Sequence, residues 1–312
     1  MEPSRTTPRL IDLAIAWDWE YDRDFVRMLE SSAHALGLTT YSISHHNCEE
    51  TLNELLHGRL HIAVLLDRTA ETDERFAALM RALERHGVKH LNSPDAVRHA
   101  SDKANMHLEF ITAGVHVPYT IIISPYNKKR EVELSLSELA HLRRPFIIKP
   151  ANTTGGGIGV ILGAETLKDV IETRQHNKND KYLLQEEILP MVLDGRRGWF
   201  RVFGVCGMIL PCWWDPETHI YSEVTASEQR RWQLVALNSV TRIIASVCRL
   251  DFFSTEIAIP NSNRHVAVDY VNEVCDMRLK SMHMDGVPDR FVAAVARQLA
   301  RRARQLSLSA KS

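Results

Sequence analysis

The sequence predicts an α/β protein of three lobes, on three observations. Apolar, β-branched runs alternate with helical-period stretches from residue 10 to Leu91. The stretch "FIIKPANTTGGGIGV" carries a lysine at the end of a strand and three consecutive glycines soon after it. Two late strands joined by the turn "PNSNR" carry acids that a hairpin places opposite one another. With 312 residues, 45% of them hydrophobic and 25% charged, the chain can bury a large core.

The first lobe, residues 1–98, reads as strand 10–16, a helix over "DFVRMLESSAHALGL" and the strand "TTYSIS". The helix "CEETLNELLHG", the strand "HIAVLLD" and a helix around "ERFAALMRALERHG" follow. Strands separated by helices imply a parallel sheet covered on both faces. The second lobe, 99–184, opens with a helix that Ser101 can cap and that ends at Gly114. It continues with the strand "YTIIIS", the short helix "LSLSELAHL", the strand "PFIIK", the strand "GVILGA", the helix "ETLKDVIETRQH" and the strand "YLLQEEIL". The third lobe, 185–312, holds the hairpin "WFRVFGVCGMILPCWW" with Gly204 and Gly207 near its turn. One helix is expected over "RWQLVALNSVTRIIASVCRL", with Trp232, Val235, Val240, Ile243 and Val247 facing the core. The strands "FFSTEIAI" and "HVAVDYVNE" close the lobe. In the Arg-rich tail, Phe291, Val295, Leu299 and Leu306 fall near helical spacing, so the arginines read as the solvated side of a docked helix.

A formal net charge of -1 gives no bulk attraction to nucleic acid or to an acidic membrane, and neither is expected as a partner. The five cysteines are odd in number and without CxxC spacing, which points to a reduced, cytoplasmic protein with no structural zinc. The run "LIDLAIAW" is too short for a membrane span and holds Asp12.

The glycine run is followed by no GK[ST], so it is not a P-loop, and its spacing is not that of a dinucleotide fingerprint. It reads either as a plain hairpin turn or as a flap whose backbone N–H groups close over phosphates, with Lys149 as a fixed cation beneath. With the "PNSNR" tip at Ser262–Asn263, pairing puts Glu256 opposite Asp269. Side chains so opposed lie about 5 Å apart at Cβ. Two carboxylates that close repel unless a cation or a proton lies between them, so replacing either should stabilise a metal-free protein. They form a solvated acidic pair or a site for Mg²⁺, with Asn272 as a neutral oxygen.

The segments "NSPDAVRHASDKANMHLEFITAGVHVP", "PFIIKPANTTGGGIGV", "YLLQEEIL", "FRVFGV" and "FFSTEIAI…VAVDYVNE", in this order, resemble the ATP-grasp superfamily over most of the chain. The resemblance is to carboxylate–amine ligases of the D-alanine–D-alanine ligase and ribosomal-protein glutamate ligase type. It implies an ATP-grasp fold behind an N-terminal parallel-sheet domain. It further implies that Lys103 and Lys149 meet nucleotide phosphates and that flap 153–159, with Thr154, Gly155, Gly156 and Gly157, covers them. Gln185, Glu186 and Ile188 would receive adenine, Asp194 the ribose, and Arg201 the transferred phosphoryl group. Glu256, Asp269 and Asn272 would hold Mg²⁺.

One departure stands out. The family spaces its last acid and asparagine as acid-x-Asn, whereas "DYVN" has two residues between them. Plain alternation sends Asp269 and Asn272 to opposite faces. Either a β-bulge restores them, or Asp269 acts without Asn272, or the site is degenerate, with Glu273 and Asp276 as substitutes. The implied activity is ATP- and Mg²⁺-dependent joining of a small-molecule or peptide carboxylate to an amine through an acyl phosphate. A small-molecule kinase and a nucleotide-binding protein without catalysis are the alternatives, and a homodimer is expected from the family. Trp17, Trp19, Tyr21, the loop "CWWDPETHIY" and Arg278 are each open to substrate contact or to packing.

Overall fold

The computed structural model describes residues 7–69, 74–129, 131–152 and 158–310. The first domain is a parallel sheet of β1 (Arg9–Ala16), β2 (Thr40–Ile43), β3 (Leu60–Asp67) and β4 (Lys89–Leu91), in the order β2-β1-β3-β4. The helices α1 (Arg23–His34), α2 (Cys48–Leu56) and α3 (Glu74–Arg85) connect these strands. Near-continuous burial of β1 from Ile11 to Ala16 fits a strand covered on both faces.

The second lobe begins with two helices, α4 (Pro94–Ser101) and α5 (Lys103–Thr112). The cap of α5 is Asp102, one residue beyond the expected Ser101; its carboxylate accepts from the Ala104 and Asn105 amides at 3.0 and 3.1 Å. Ser101 instead ends α4, whose own cap is Ser93. The lobe's antiparallel sheet holds β5 (Thr120–Ile123), β6 (Phe146–Pro150), β7 (Ile161–Ala164) and β8 (Tyr182–Glu186), ordered β5-β8-β6-β7. Its helices are α6 (Leu136–Leu142) and α7 (Leu167–Thr173), each opened by a capping box.

The third lobe contains a small hairpin, β9 (Val192–Leu193) with β10 (Arg196–Arg197). Its main sheet has β11 (Trp199–Val205), β12 (Met208–Trp214), β13 (Tyr221–Glu223), β14 (Phe252–Ala258) and β15 (Val266–Asn272), ordered β13-β12-β11-β14-β15. Gly204 is required by packing, since a Cβ there would sit 2.5 Å from the Phe253 ring. The single helix expected over 231–250 is two, α8 (Ala226–Arg231) and α9 (Val235–Cys248), broken where Gln233 takes a φ of 53°. The break rotates the buried face. Leu237, Thr241, Ile244 and Cys248 go inward, while Val235 and Ile243 are exposed.

The last helix, α10 (Asp289–Ala310), packs against α1, β1 and β3 of the first domain. Val292, Val295, Ala296, Leu299, Ala300 and Ala303 join Leu13, Ile15, Phe25 and Leu29 in one core. Arg297, Arg301 and Arg304 face solvent, as the spacing predicts.

Candidate functional site

The β14–β15 pairing sets Glu256 opposite Asp269, the pair expected from the turn, although the ladder nearer the tip, Ile257 with Ala267 and Ala258 with Val266, is shifted by one residue from the expected register. β11 sets Arg201 opposite Glu256, and β12 sets Cys212 opposite Arg201. Directly opposed residues share a face, so Arg201, Glu256 and Asp269 form one row across the sheet. The next pair along is Ser254 with Asn272. Between the two pairs β14 advances by two residues and β15 by three, so β15 carries a bulge. The bulge resolves the "DYVN" departure. It returns Asn272 to the face of Asp269, and both side chains are half-buried while Tyr270 and Val271 are buried.

Lys149 is buried on the second lobe's sheet, where β6 and β8 pair Lys149 with Leu183 and Ile147 with Gln185. Gln185 thus lies on the Lys149 face. The Lys149 ammonium donates to the Val268 carbonyl of β15 at 3.2 Å and lies 5.5 Å from the Tyr270 ring centroid. Burial lowers its pKa, Asp269 and Glu256 oppose that, and the Lys103 charge adds to it. Lys103 opens α5, and its amide donates to the Ala151 carbonyl at 3.1 Å, beside the root of the glycine segment. The two lysines, Arg201 and the two acids therefore converge where the two sheets face each other. The residues Thr154, Gly155, Gly156 and Gly157 lie outside the described residues.

Arg201 is not idle in this row. Its guanidinium pairs with Glu256 and lies 4.5 Å from the Trp214 ring centroid. Burial works against the Arg201 charge, but Glu256, Tyr221 and Asp269 together more than offset this, so Arg201 stays protonated. The other Glu256 oxygen accepts from the Trp199 indole at 3.0 Å. Burial raises the Glu256 pKa and Asp269 adds to it, against the pull of Arg201. The expectation of two unpaired, mutually repelling carboxylates is therefore corrected, because Glu256 has a largely buried cationic partner.

For a divalent cation the donors are the hard oxygens of Asp269, Glu256 and Asn272 on one face. Among the described residues no group of three or more His, Cys, Asp or Glu gathers to hold a metal by itself. A set this sparse suits Mg²⁺, which takes one or two carboxylates together with substrate phosphates, and does not suit an all-protein cage.

Other expected residues are engaged elsewhere. A Glu186 carboxylate oxygen accepts from the Tyr119 amide at 2.8 Å, so its side chain fastens β8 to the start of β5. Ile188 follows β8 and packs against the cluster of Ala258, Val266 and Val268. Asp194 sits in the β9–β10 turn and is held by the Trp232 indole at 3.0 Å and by Arg231 at 2.9 Å. Arg278 is clamped by Asp276 and Asp285 and lies 5.7 Å from the Trp19 ring centroid, so its role is the ion pair. Asp276 is thereby taken as well. The Trp17 indole donates to Ser42 at 2.7 Å, which is packing within the first domain.

Sequence reasoning missed three groups. Trp199 and Trp214 buttress the Arg201–Glu256 pair; their alternation with Arg201 along β11 and their place on β12 were the available signals. His107 and Tyr270 meet beneath Lys149, with the His107 ring nitrogen 2.6 Å from the Tyr270 hydroxyl. Arg68, just past β3, binds Asp22 through two nitrogens and donates to the Cys275 carbonyl at 2.9 Å. It thus ties the first domain to the segment after β15.

No protein-family model matches the chain, and no curated protein does. Solved structures do. A RimK-domain ATP-grasp protein from Sphaerobacter thermophilus matches at 18% identity over 93% of this chain and 98% of that one, with a TM-score of 0.62. The D-alanine–D-alanine ligase of Bacillus anthracis, complexed with ATP, matches at 13% identity over 95% and 96%, with a TM-score of 0.61. D-cycloserine synthetase DcsG matches at 14% identity over 95% and 100%, also with a TM-score of 0.61.

Proposed function

We propose that this chain, which has the ATP-grasp fold, is an ATP- and Mg²⁺-dependent ligase that joins a carboxylate to an amine through an acyl phosphate. The observation that carries the proposal is the convergence of Lys103 and Lys149 with the Arg201–Glu256–Asp269 row. Two fixed cations beside carboxylates and a chain-neutral oxygen match what phosphoryl transfer needs, which is position and charge more than covalent help. The ligases among the structural neighbours support the same reaction class.

In this reading a substrate carboxylate oxygen attacks the γ-phosphorus and ADP leaves. The amine then attacks the acyl carbon, phosphate leaves with the bonding pair, and the amine gives up a proton. Lys149 and Lys103 hold phosphate oxygens. Arg201, kept rigid by Glu256 and Trp214, presents charge to the moving phosphoryl group. Mg²⁺, held by Asp269, Asn272 and Glu256, would supply further charge neutralisation when bound. The described residues contain no helix long and apolar enough to cross a membrane. We place the reaction in the cytoplasm, where the free cysteines stay reduced.

Hydroxylamine tests the reaction class. An acyl phosphate is intercepted by this small nucleophile, so ATP, Mg²⁺ and the correct carboxylate should give a hydroxamate. A panel of amino acids, peptides and small carboxylates removes the need to know the substrate. A stable phosphorylated product without hydroxamate, from a compound that drives ADP release, would move the assignment to a kinase.

A further inference from the structure

We propose that Asp102 and Lys181 are positioning residues that close a ring fixing the spacing of Lys103 and Lys149, the two cations proposed to hold the nucleotide phosphates. The inference rests on the nucleotide-binding reading above and deepens it. The ring can be followed bond by bond. The Lys181 ammonium donates to one Asp102 carboxylate oxygen at 3.1 Å. Asp102 is joined through its peptide bond to Lys103, the first residue of α5. The Lys103 amide donates to the Ala151 carbonyl at 3.1 Å, and the Ala151 amide donates to the Lys181 carbonyl at 2.9 Å, which closes the ring. Ala151 lies two residues beyond Lys149, at the exit of β6. Lys181 lies two residues before Leu183, the partner of Lys149 across the ladder. One phosphate lysine is thus a member of the ring, and the other adjoins it on the sheet.

Asp102 has two tasks, one for each oxygen. One oxygen accepts from the Ala104 and Asn105 amides and caps α5. The other takes Lys181 and so ties the helix to the sheet. The first turn of α5 has no acid of its own, and Lys103 sits at the positive end of the helix dipole, where a cation is disfavoured. Lys103 also faces the Lys149 charge. The Asp102 carboxylate offsets both at the helix end, and the Lys181 ion pair holds that carboxylate toward the sheet. The same turn has a second fastening. Asn152, next after Ala151, donates its amide and its side-chain NH₂ to the two Asp180 oxygens, each at 2.9 Å. The residues ahead of β8 therefore grip the exit of β6 on one side and the start of α5 on the other. A phosphate chain that bridges two lysines draws on both only when they stand at the right spacing. A spacing set before the ligand arrives removes an ordering cost from binding.

The test is a double-mutant cycle, read by calorimetric titration of the whole protein with Mg·ATP and no other substrate. Asp102→Ala should weaken Mg·ATP by at least about fivefold. In a Lys103→Ala background the same change should cost less than about twofold, because one lysine leaves no spacing to set. Lys181→Met removes the ion pair but leaves the cap and the Lys181 carbonyl in place, and it should weaken Mg·ATP by about threefold. Asp102→Asn also keeps the cap without the ion pair and should match Lys181→Met. These two variants serve if Asp102→Ala does not fold. If Lys103→Ala binds no Mg·ATP, Lys181→Met decides alone: a loss of affinity supports the brace and wild-type affinity overturns it. A carboxylate that only caps the helix would lower the thermal midpoint and cost the same affinity with or without Lys103. Equal losses in the two backgrounds, or full recovery in Asp102→Asn, therefore overturn the brace. A wild type that does not bind Mg·ATP removes the nucleotide reading itself, which is a separate failure and is seen before any variant is made.

Discussion

At the scale of single residues, the pairing of Glu256 reverses a stability expectation. Opposed carboxylates alone suggest that neutralising either one stabilises the metal-free protein. Instead Glu256→Gln strands a largely buried Arg201 without its counter-ion. Removing one partner of a buried pair costs about 3–5 kcal/mol. Urea unfolding in EDTA should show a loss of that order, and a gain would mean that the pair does not form. Lys149→Ala is expected to weaken Mg·ATP binding while the protein still folds, because burial already works against that charge; unchanged affinity in a folded variant removes Lys149 from the site. His107 supplies a pH signature. Its pKa is lowered to about 4 from 6.5, so the unfolded chain takes up the proton first as the pH falls. Its contribution is therefore complete above pH 6.5 and is lost between pH 6.5 and about 4. The loss should be on the order of 2 kcal/mol after discounting for polar surroundings. The difference in unfolding free energy between pH 7 and pH 4.5 should shrink in His107→Phe, and an unchanged difference would show that His107 is not held neutral. Glu256, Asp269 and Lys149 were legible in the sequence because strand alternation and turn position are local rules. Trp214 beside Arg201 lies across one predicted hairpin and was within reach of the same local rules, whereas His107 under Tyr270 was not, since that contact joins α5 to β15, far apart in the chain.

At the scale of elements, the turn "PNSNR" predicts the Glu256–Asp269 pair, but the ladder nearer the tip runs one residue off, with Ile257 opposite Ala267 and Ala258 opposite Val266. A shift between Glu256 and Ile257 restores the pair, and the bulge further along was one of the outcomes that the spacing left open. Alternation predicts faces only while the ladder is regular, so one inserted residue was needed before Asn272 could join Asp269. The same limit explains α9. A helical wheel drawn through Gln233 carries its phase across a left-handed residue, and the buried face comes out wrong. Helix α10 was legible as amphipathic, but not as a member of the first domain's core, because periodicity shows which face is buried and not what buries it. Its far end is fastened by Ser307, whose hydroxyl donates to the buried Asp12 carboxylate at 2.6 Å; Thr39 binds the other Asp12 oxygen. A hydrogen bond to a charged group is worth about 1.5–3 kcal/mol, so Ser307→Ala should lower stability by roughly 2 kcal/mol. Mg·ATP affinity should not change. A stability equal to wild type would show that the last turn of α10 frays away from β1.

At the scale of the whole molecule, the charges of the site are arranged at a cost that a ligand can relieve. Lys103 and Lys149 repel one another across the mouth of the second lobe, and Lys149 is desolvated as well. On the facing sheet Asp269 lies beside Glu256, whose charge is already paired with Arg201. Neither sheet neutralises the other completely. The first domain is tied in from the side, through Arg68 to the Cys275 carbonyl and through Asn92, which donates to and accepts from Phe252 at 2.7 Å. In the proposed reading, a polyanion with a bound divalent cation would complete both halves, with phosphates against the lysines and metal against the acids. Such a ligand would bind the assembled lobes and not the unfolded chain. At a hundred times its dissociation constant it stabilises by about 2.7 kcal/mol. Mg·ATP should therefore raise the thermal midpoint by several degrees. ATP with EDTA should raise it less, because the acid row then faces phosphate directly, and Mg²⁺ alone should do little, since the protein offers it few ligands. If ATP stabilises equally with and without Mg²⁺, the Asp269 row takes no part in nucleotide binding, and the metal assignment falls while that of the lysines stands.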